Sequence, residues 1–169
     1  MTRIAVIALC AFCAVLPQAS ASEDPKALAA TIIRDVCVTT LPDFKEAIDR
    51  AAELNLLERD SDDVATDTDT KVSLTVTGKQ EVFGIPIEPL CVVNLLNHEG
   101  KDLLETAEAL ATDLGTEIEK EGDGTDMEDD GITWYFNHRD RPLSLTLLQD
   151  SVFGLWTSAI LSLSTVGEP

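Results

Sequence analysis

Residues 132–163 read ITWYFNHRDRPLSLTLLQDSVFGLWTSAILSL, and this stretch decides the fold class. Ile132 to His138, Leu143 to Gln149 and Val152 to Leu163 alternate apolar with polar residues, the pattern of strands with one buried face. Alternation puts Trp134 and Phe136 on one side of the first strand and Tyr135 on the other. Phe153, Leu155, Ala159, Leu161 and Leu163 share one side of the third. Arg139-Asp140-Arg141 and Asp150-Ser151 separate the strands and are short enough for hairpins. Strands joined this way run antiparallel. Ser151 to Gly167 carries no charge, but its Ser/Thr content and alternation mark a strand rather than a membrane span.

N-terminal to this block, Lys101 to Leu114 has helical spacing. Leu103, Leu104, Ala107, Leu110, Ala111 and Leu114 form an apolar stripe, and Gly115 follows as the stop. Leu90 to Leu96 is a compact apolar run that reads as a buried strand carrying Cys91. Val72, Leu74 and Val76 alternate with Ser73, Thr75 and Thr77, a half-exposed strand. Gly78-Lys79-Gln80 turns it, and Val82 to Ile87 continues as a partner strand that Pro86 and Pro89 confine to an edge or an irregular stretch.

Two helices come earlier. Asp24-Pro25 starts the first, which carries Leu28, Ile32, Ile33 and Val36 and ends near Val38, with Cys37 close to its end. Asp43-x-x-Glu46 reads as a capping box opening the second, whose face is Phe44, Ala47, Ile48, Ala51, Ala52 and Leu54. Residues 58–70 and 116–131 are polar and read as loops. The expected order is α-α-β-β-β-α-β-β-β. It is an α+β fold, a two-layer sandwich of mostly antiparallel β-sheet with about three helices on one face. No fixed-period repeat or linker divides it.

Residues 1–21 stand apart from this domain. Arg3 precedes a 13-residue uncharged run from Ile4 to Leu16, then Pro17 and the small-residue site Ala19-Ser20-Ala21. These are the parts of a secretory signal cleaved after Ala21, and the run is too short to span about 30 Å of hydrocarbon. Leu9 before Cys10 and Phe12 before Cys13 do not suit lipidation. The expected domain is residues 22–169, secreted, and periplasmic if the source is a Gram-negative bacterium. Cys37 and Cys91 remain, and an even pair in an oxidising compartment forms one disulfide. The rival reading is a free nucleophilic Cys working with His98 or His138.

The charge narrows the partners. The chain has 12 Lys+Arg against 31 Asp+Glu, a net −19 that becomes −20 once Arg3 is removed. Phosphate recognition needs basic side chains, so nucleic acid and anionic lipid surfaces are unsuitable partners. A basic protein or a small cationic ligand suits this charge. An acidic surface also fits a high-salt medium, where screening relieves self-repulsion.

Residues 99–130 hold 13 acids and two bases, Lys101 and Lys120. Within them Asp126, Glu128 and Asp130, followed by Gly131, resemble the start of a calcium loop. Asn137 stands where the closing Glu belongs, and a strand follows where a helix should. With Asp123 these acids make a looser calcium site, the only cofactor that the sequence suggests. His98 and His138 each end a strand-like run. They would converge on a metal, with Glu99 or Asp140, if their strands were neighbours. No G-x-S-x-G, S-x-x-K or P-loop motif is present, and no catalytic residue can be named. Trp134, Tyr135 and Trp156 are the aromatic candidates for a binding surface. The leading expectation is an exported, non-catalytic binding or interaction module. The alternatives are a cell-envelope hydrolase using carboxylates or a His-bound metal, and a calcium-stabilised structural domain.

Overall fold

A computed structural model describes residues 24–82, 85–124, 127, 131–152 and 156–166. The expected signal segment and the calcium-loop residues Asp126, Glu128 and Asp130 lie outside the described residues.

The described residues form ten strands: β1 (Glu58–Arg59), β2 (Val64–Asp67), β3 (Val72–Thr77), β4 (Gln80–Val82), β5 (Ile85–Ile87), β6 (Leu90–Leu96), β7 (Thr116–Glu121), β8 (Ile132–His138), β9 (Arg141–Val152) and β10 (Trp156–Thr165). Eight form one antiparallel sheet in the order β1-β2-β3-β6-β10-β9-β8-β7. β4 and β5 pair only with each other, as a ribbon carried on the β3–β6 connection.

The register stacks the apolar positions on one face. Leu74 pairs with Val93, Val93 with Leu161, and Leu161 with Leu147, which pairs in turn with Ile132. All five side chains are fully buried. Each buried Leu, Val or Ile stabilises by about 1.5–3 kcal/mol, so this shared row is a main source of the fold's stability.

The helices cover that face. α1 (Pro25–Thr31) packs on β3 and β6, α2 (Ala47–Glu53) on β2 and β3, and α3 (Gly100–Leu114) on β7 to β10. Their buried side chains join one cluster with the buried strand positions. Asp24 caps α1 by accepting from the Lys26 N–H at 3.0 Å, as expected for Asp before Pro. α1 then widens into a π-helical segment at Ile32–Cys37 and tightens into a 3-10 turn at Val38–Thr40. Cys37 and Cys91 form a disulfide with Cα atoms 5.9 Å apart, tying this helical run to β6.

Several local expectations need correction. Asp43 and Glu46 make no capping box. Phe44 is fully buried with φ of 56°, a left-handed conformation that interrupts the helix, so α2 begins only at Ala47. Asp43 pairs instead with Lys45, which holds its carboxyl below the usual range. Residues 58–70 contain β1 and β2, and residues 116–121 form β7. These three strands lie in or beside the sheet's edges, where solvated side chains remove the apolar alternation. Asp150 and Ser151 are not a turn. They pair with Ser158 and Thr157, so β9 runs on to Val152.

α3 matches its stripe closely. Leu103, Ala107, Leu110, Ala111 and Leu114 are buried. Its start is a reciprocal capping box: Glu99 accepts from the N3 backbone, and Asp102 Oδ2 accepts from the Glu99 N–H at 3.2 Å. Gly115 ends the helix for a reason unrelated to left-handed backbone, since its φ is −142°. A Cβ there would lie 2.3 Å from Phe136 Cδ2, so only glycine lets β8 approach the helix end.

Candidate functional site

Because the helices use one face, the other face of the sheet has no helix over it among the described residues. Its positions alternate with the buried ones: Ser73, Thr75, Leu90, Val92, Asn94, Leu96, Thr133, Ser144, Thr146, Leu148, Ile160, Ser162 and Ser164. This face is neutral across its centre. Four of its hydroxyls pair across strands, Ser144 with Ser164 at 2.7 Å and Thr133 with Thr146 at 3.0 Å. Val92, Leu148 and Ile160 lie half-buried among them. Asn94 sits between Ser73 and Ile160 in the register, and its Oδ1 is buried without a hydrogen-bond partner. An acceptor removed from water without a donor costs about 1–3 kcal/mol.

The β7 side of this face is different. Tyr135, paired with Glu119, is exposed (37%) and donates from its hydroxyl to Glu121 Oε2 at 3.2 Å. Partial burial, and then the neighbouring Glu121 carboxylate, raise its phenol pKa above the usual value. Asn137 Nδ2 donates to Glu117 Oε2 at 2.9 Å. A groove of about 350 Å³ crosses this corner, lined by Glu117, Glu119, Tyr135, Asn137, Pro142 and Val166 among others. Ile118, Tyr135 and Val166 are the exposed large hydrophobic residues among those described. Two of the three line this groove and the third stands beside it in β7.

Another groove, about 600 Å³, lies between the α2–β1 connection and the β2–β3 turn. Several of its polar groups are already engaged. Arg59 pairs with Asp49 and Asp62, while Asp67 accepts from the Thr70 hydroxyl and the Asp69 N–H.

The sequence-level candidates are distributed as follows. Trp134 is in the core, 3% exposed, with the Lys120 ammonium 5.5 Å from its ring centroid. That ammonium also pairs with Glu108 of α3 at 2.8 Å. Trp134 therefore belongs to the helix-covered face and is removed from the binding surface. Tyr135 is on the uncovered face. Trp156 opens β10 opposite Val152, but its side chain is outside the described residues. Asp123 is exposed just after β7, and its expected calcium partners are outside the described residues.

His98 and His138 are not brought together. His98 immediately precedes the N-cap of α3, whereas His138 Nδ1 donates to the carbonyl of Leu114, the last residue of α3. Fifteen helical residues separate those ends by about 22 Å, so the two imidazoles cannot share one metal ion. β10 and β9 also separate β6 from β8. Among the described residues, no group of three His, Cys, Asp or Glu side chains is placed to hold a metal. The free-thiol reading fails because both sulfurs are in the disulfide. Among the described residues, no helix is long and apolar enough to cross a membrane.

Glu117, Glu119, Pro142, Val166 and Asn94 were not singled out from the sequence. The available signal was Glu at every second position of Thr116–Glu121, an alternation of charge rather than of hydropathy. Comparison with protein-family models, with curated proteins and with solved structures returns no match.

Proposed function

We propose that this protein is an exported, non-catalytic binding module whose working surface is the uncovered face of the sheet, and whose partner is a protein carrying basic groups. The observation that carries the reading is the one-sided helical cover. It leaves a broad neutral face of paired hydroxyls and aliphatic side chains, with carboxylates along its β7 side. The Ser144–Ser164 and Thr133–Thr146 pairs are inexpensive to dry, because each keeps its hydrogen bond when covered. Export is supported by the signal-like residues 1–21 and by the disulfide, which persists in an oxidising compartment such as a periplasm. The net charge of −19 favours a basic partner and steers its approach.

The test is capture from an envelope extract of the source organism on immobilised, oxidised residues 22–169. A Val92→Gln/Ile160→Gln variant is run in parallel, because both positions are half-buried on the uncovered face. The expected result is a protein retained at low salt, reduced at high salt and lost with the variant. Retention that ignores the variant, or no retained protein, would overturn the reading.

A further inference from the structure

The groove at the β7 side combines three features that the rest of the uncovered face lacks. It has an exposed apolar lining, Tyr135 with Pro142 and Val166. It has a carboxylate wall, Glu117 and Glu119, with Glu121 next along the strand. It also has an open side, because β7 is the last strand of the sheet and all its residues are exposed. Glu117 and Glu121 already accept one hydrogen bond each, from Asn137 and Tyr135. A carboxylate has about four acceptor positions, so both keep capacity for another donor.

A long side chain with an apolar stem and a cationic head matches this arrangement. Its stem would cover the lining, and its head would meet Glu117 and Glu119 beside the negative face of the Tyr135 ring. A second copy of this chain does not suit the corner, because it would set one row of carboxylates against another. We infer that the groove across β7, β8 and the start of β9 docks a lysine or arginine side chain from a basic segment of the partner protein. The inference rests on the binding-module reading and gives it a specific contact.

The probe is a synthetic peptide alternating lysine and threonine, titrated into the oxidised chain while backbone and Tyr135 NMR shifts are followed. The same peptide with every lysine acetylated is the neutral control, and spermidine is the small-cation control. Glu119→Lys is the site variant. Glu119 is exposed on the edge strand, so the reversal leaves the core untouched. The expected result is binding below about 1 mM, with shifts concentrated at Tyr135, Asn137 and Val166. Affinity should fall by about tenfold or more in Glu119→Lys and be lost with the acetylated peptide.

Four results would overturn the inference: no binding, binding that survives Glu119→Lys, spermidine binding as tightly as the peptide, or self-association that Glu119→Lys abolishes. The last two would assign the groove to a small cation or to a second copy. If extract capture is lost with Val92→Gln/Ile160→Gln but the peptide does not bind, the uncovered face stands as the working surface and only the lysine site fails. If capture ignores that variant, the broader reading fails.

Discussion

Replacing both disulfide cysteines, Cys37→Ala with Cys91→Ala, gives the most quantitative stability test. The bond links residues 54 apart in sequence. In the chain-entropy treatment, closing a loop of that size removes about 4 kcal/mol of freedom from the unfolded chain. Both cysteines are fully buried, so losing two sulfurs adds about 1 kcal/mol of packing loss. A domain of this length has about 5–15 kcal/mol in total, so the variant should be marginal at 37 °C. With 1 kcal/mol shifting Tm by about 2–4 °C at this size, the expected fall is roughly 10–20 °C. Urea unfolding followed by far-UV circular dichroism checks this. The slope of free energy against urea should also steepen, because the uncrosslinked unfolded chain exposes more surface. A loss below about 1 kcal/mol with an unchanged slope would refute the reasoning, because the bond would then not be restraining the unfolded chain.

Gly115→Ala should cost about 1–3 kcal/mol, because the new methyl would overlap Phe136; urea unfolding at wild-type stability would contradict that packing. Asn94→Val should be neutral or stabilising by about 1 kcal/mol, since it removes a buried acceptor with no donor, and a clear drop in Tm would show that the amide is satisfied. Added sodium chloride should raise Tm. The ion pairs among the described residues are all at the surface and worth little, whereas the self-repulsion of a net −19 is screened more strongly as the Debye length falls from about 10 Å at 0.1 M to about 3 Å at 1 M; a falling Tm would reverse that ranking. Tyr135 should titrate above the ordinary phenol value by ultraviolet absorbance, and Glu121→Gln should bring it down. Its contribution to stability is complete below the unfolded-state pKa and is lost as pH rises through the folded value; a midpoint at the ordinary value would count against both the partial burial of Tyr135 and its contact with Glu121.

The central elements were legible because burial on one face imposes a period. The alternation of β3, β8, β9 and β10 and the stripe of α3 follow from the single apolar face that each must hide, while β6 showed as a compact apolar run. The α+β class and the one-sided helical cover follow from those elements. What escaped lies where burial exerts no such pressure. β7 is exposed along its whole length, so its only periodic signal was charge. β1 and β2 have one fully buried residue between them, Ala65. The second helix misled because Asp43-x-x-Glu46 is a valid local signal, which the burial of Phe44 in a left-handed conformation overrides. For the candidate site, alternation separated Tyr135 from Trp134 but could not say which of them faced the helices. That depended on pairing Trp134 with Leu145 and Phe136 with Leu143, both buried under α3.

If the uncovered face is the proposed working surface, its two parts suit different stages of binding. Across its centre, paired hydroxyls and half-buried aliphatic side chains can lose water at little cost, because each Ser144–Ser164 or Thr133–Thr146 pair keeps its bond when covered. Along β7 the carboxylates are costly to dry and are worth most while still hydrated, as attractors for a basic partner. On the proposed reading, charge at the rim and neutrality at the centre divide the work: Glu117, Glu119 and Glu121 would set how fast a basic partner arrives, and Val92, Leu148 and Ile160 how long it stays. Removing rim charge should then act mainly on the association rate and its salt dependence. Changing the central aliphatic side chains should act on dissociation, and the opposite assignment would mean that the edge rather than the face holds the partner.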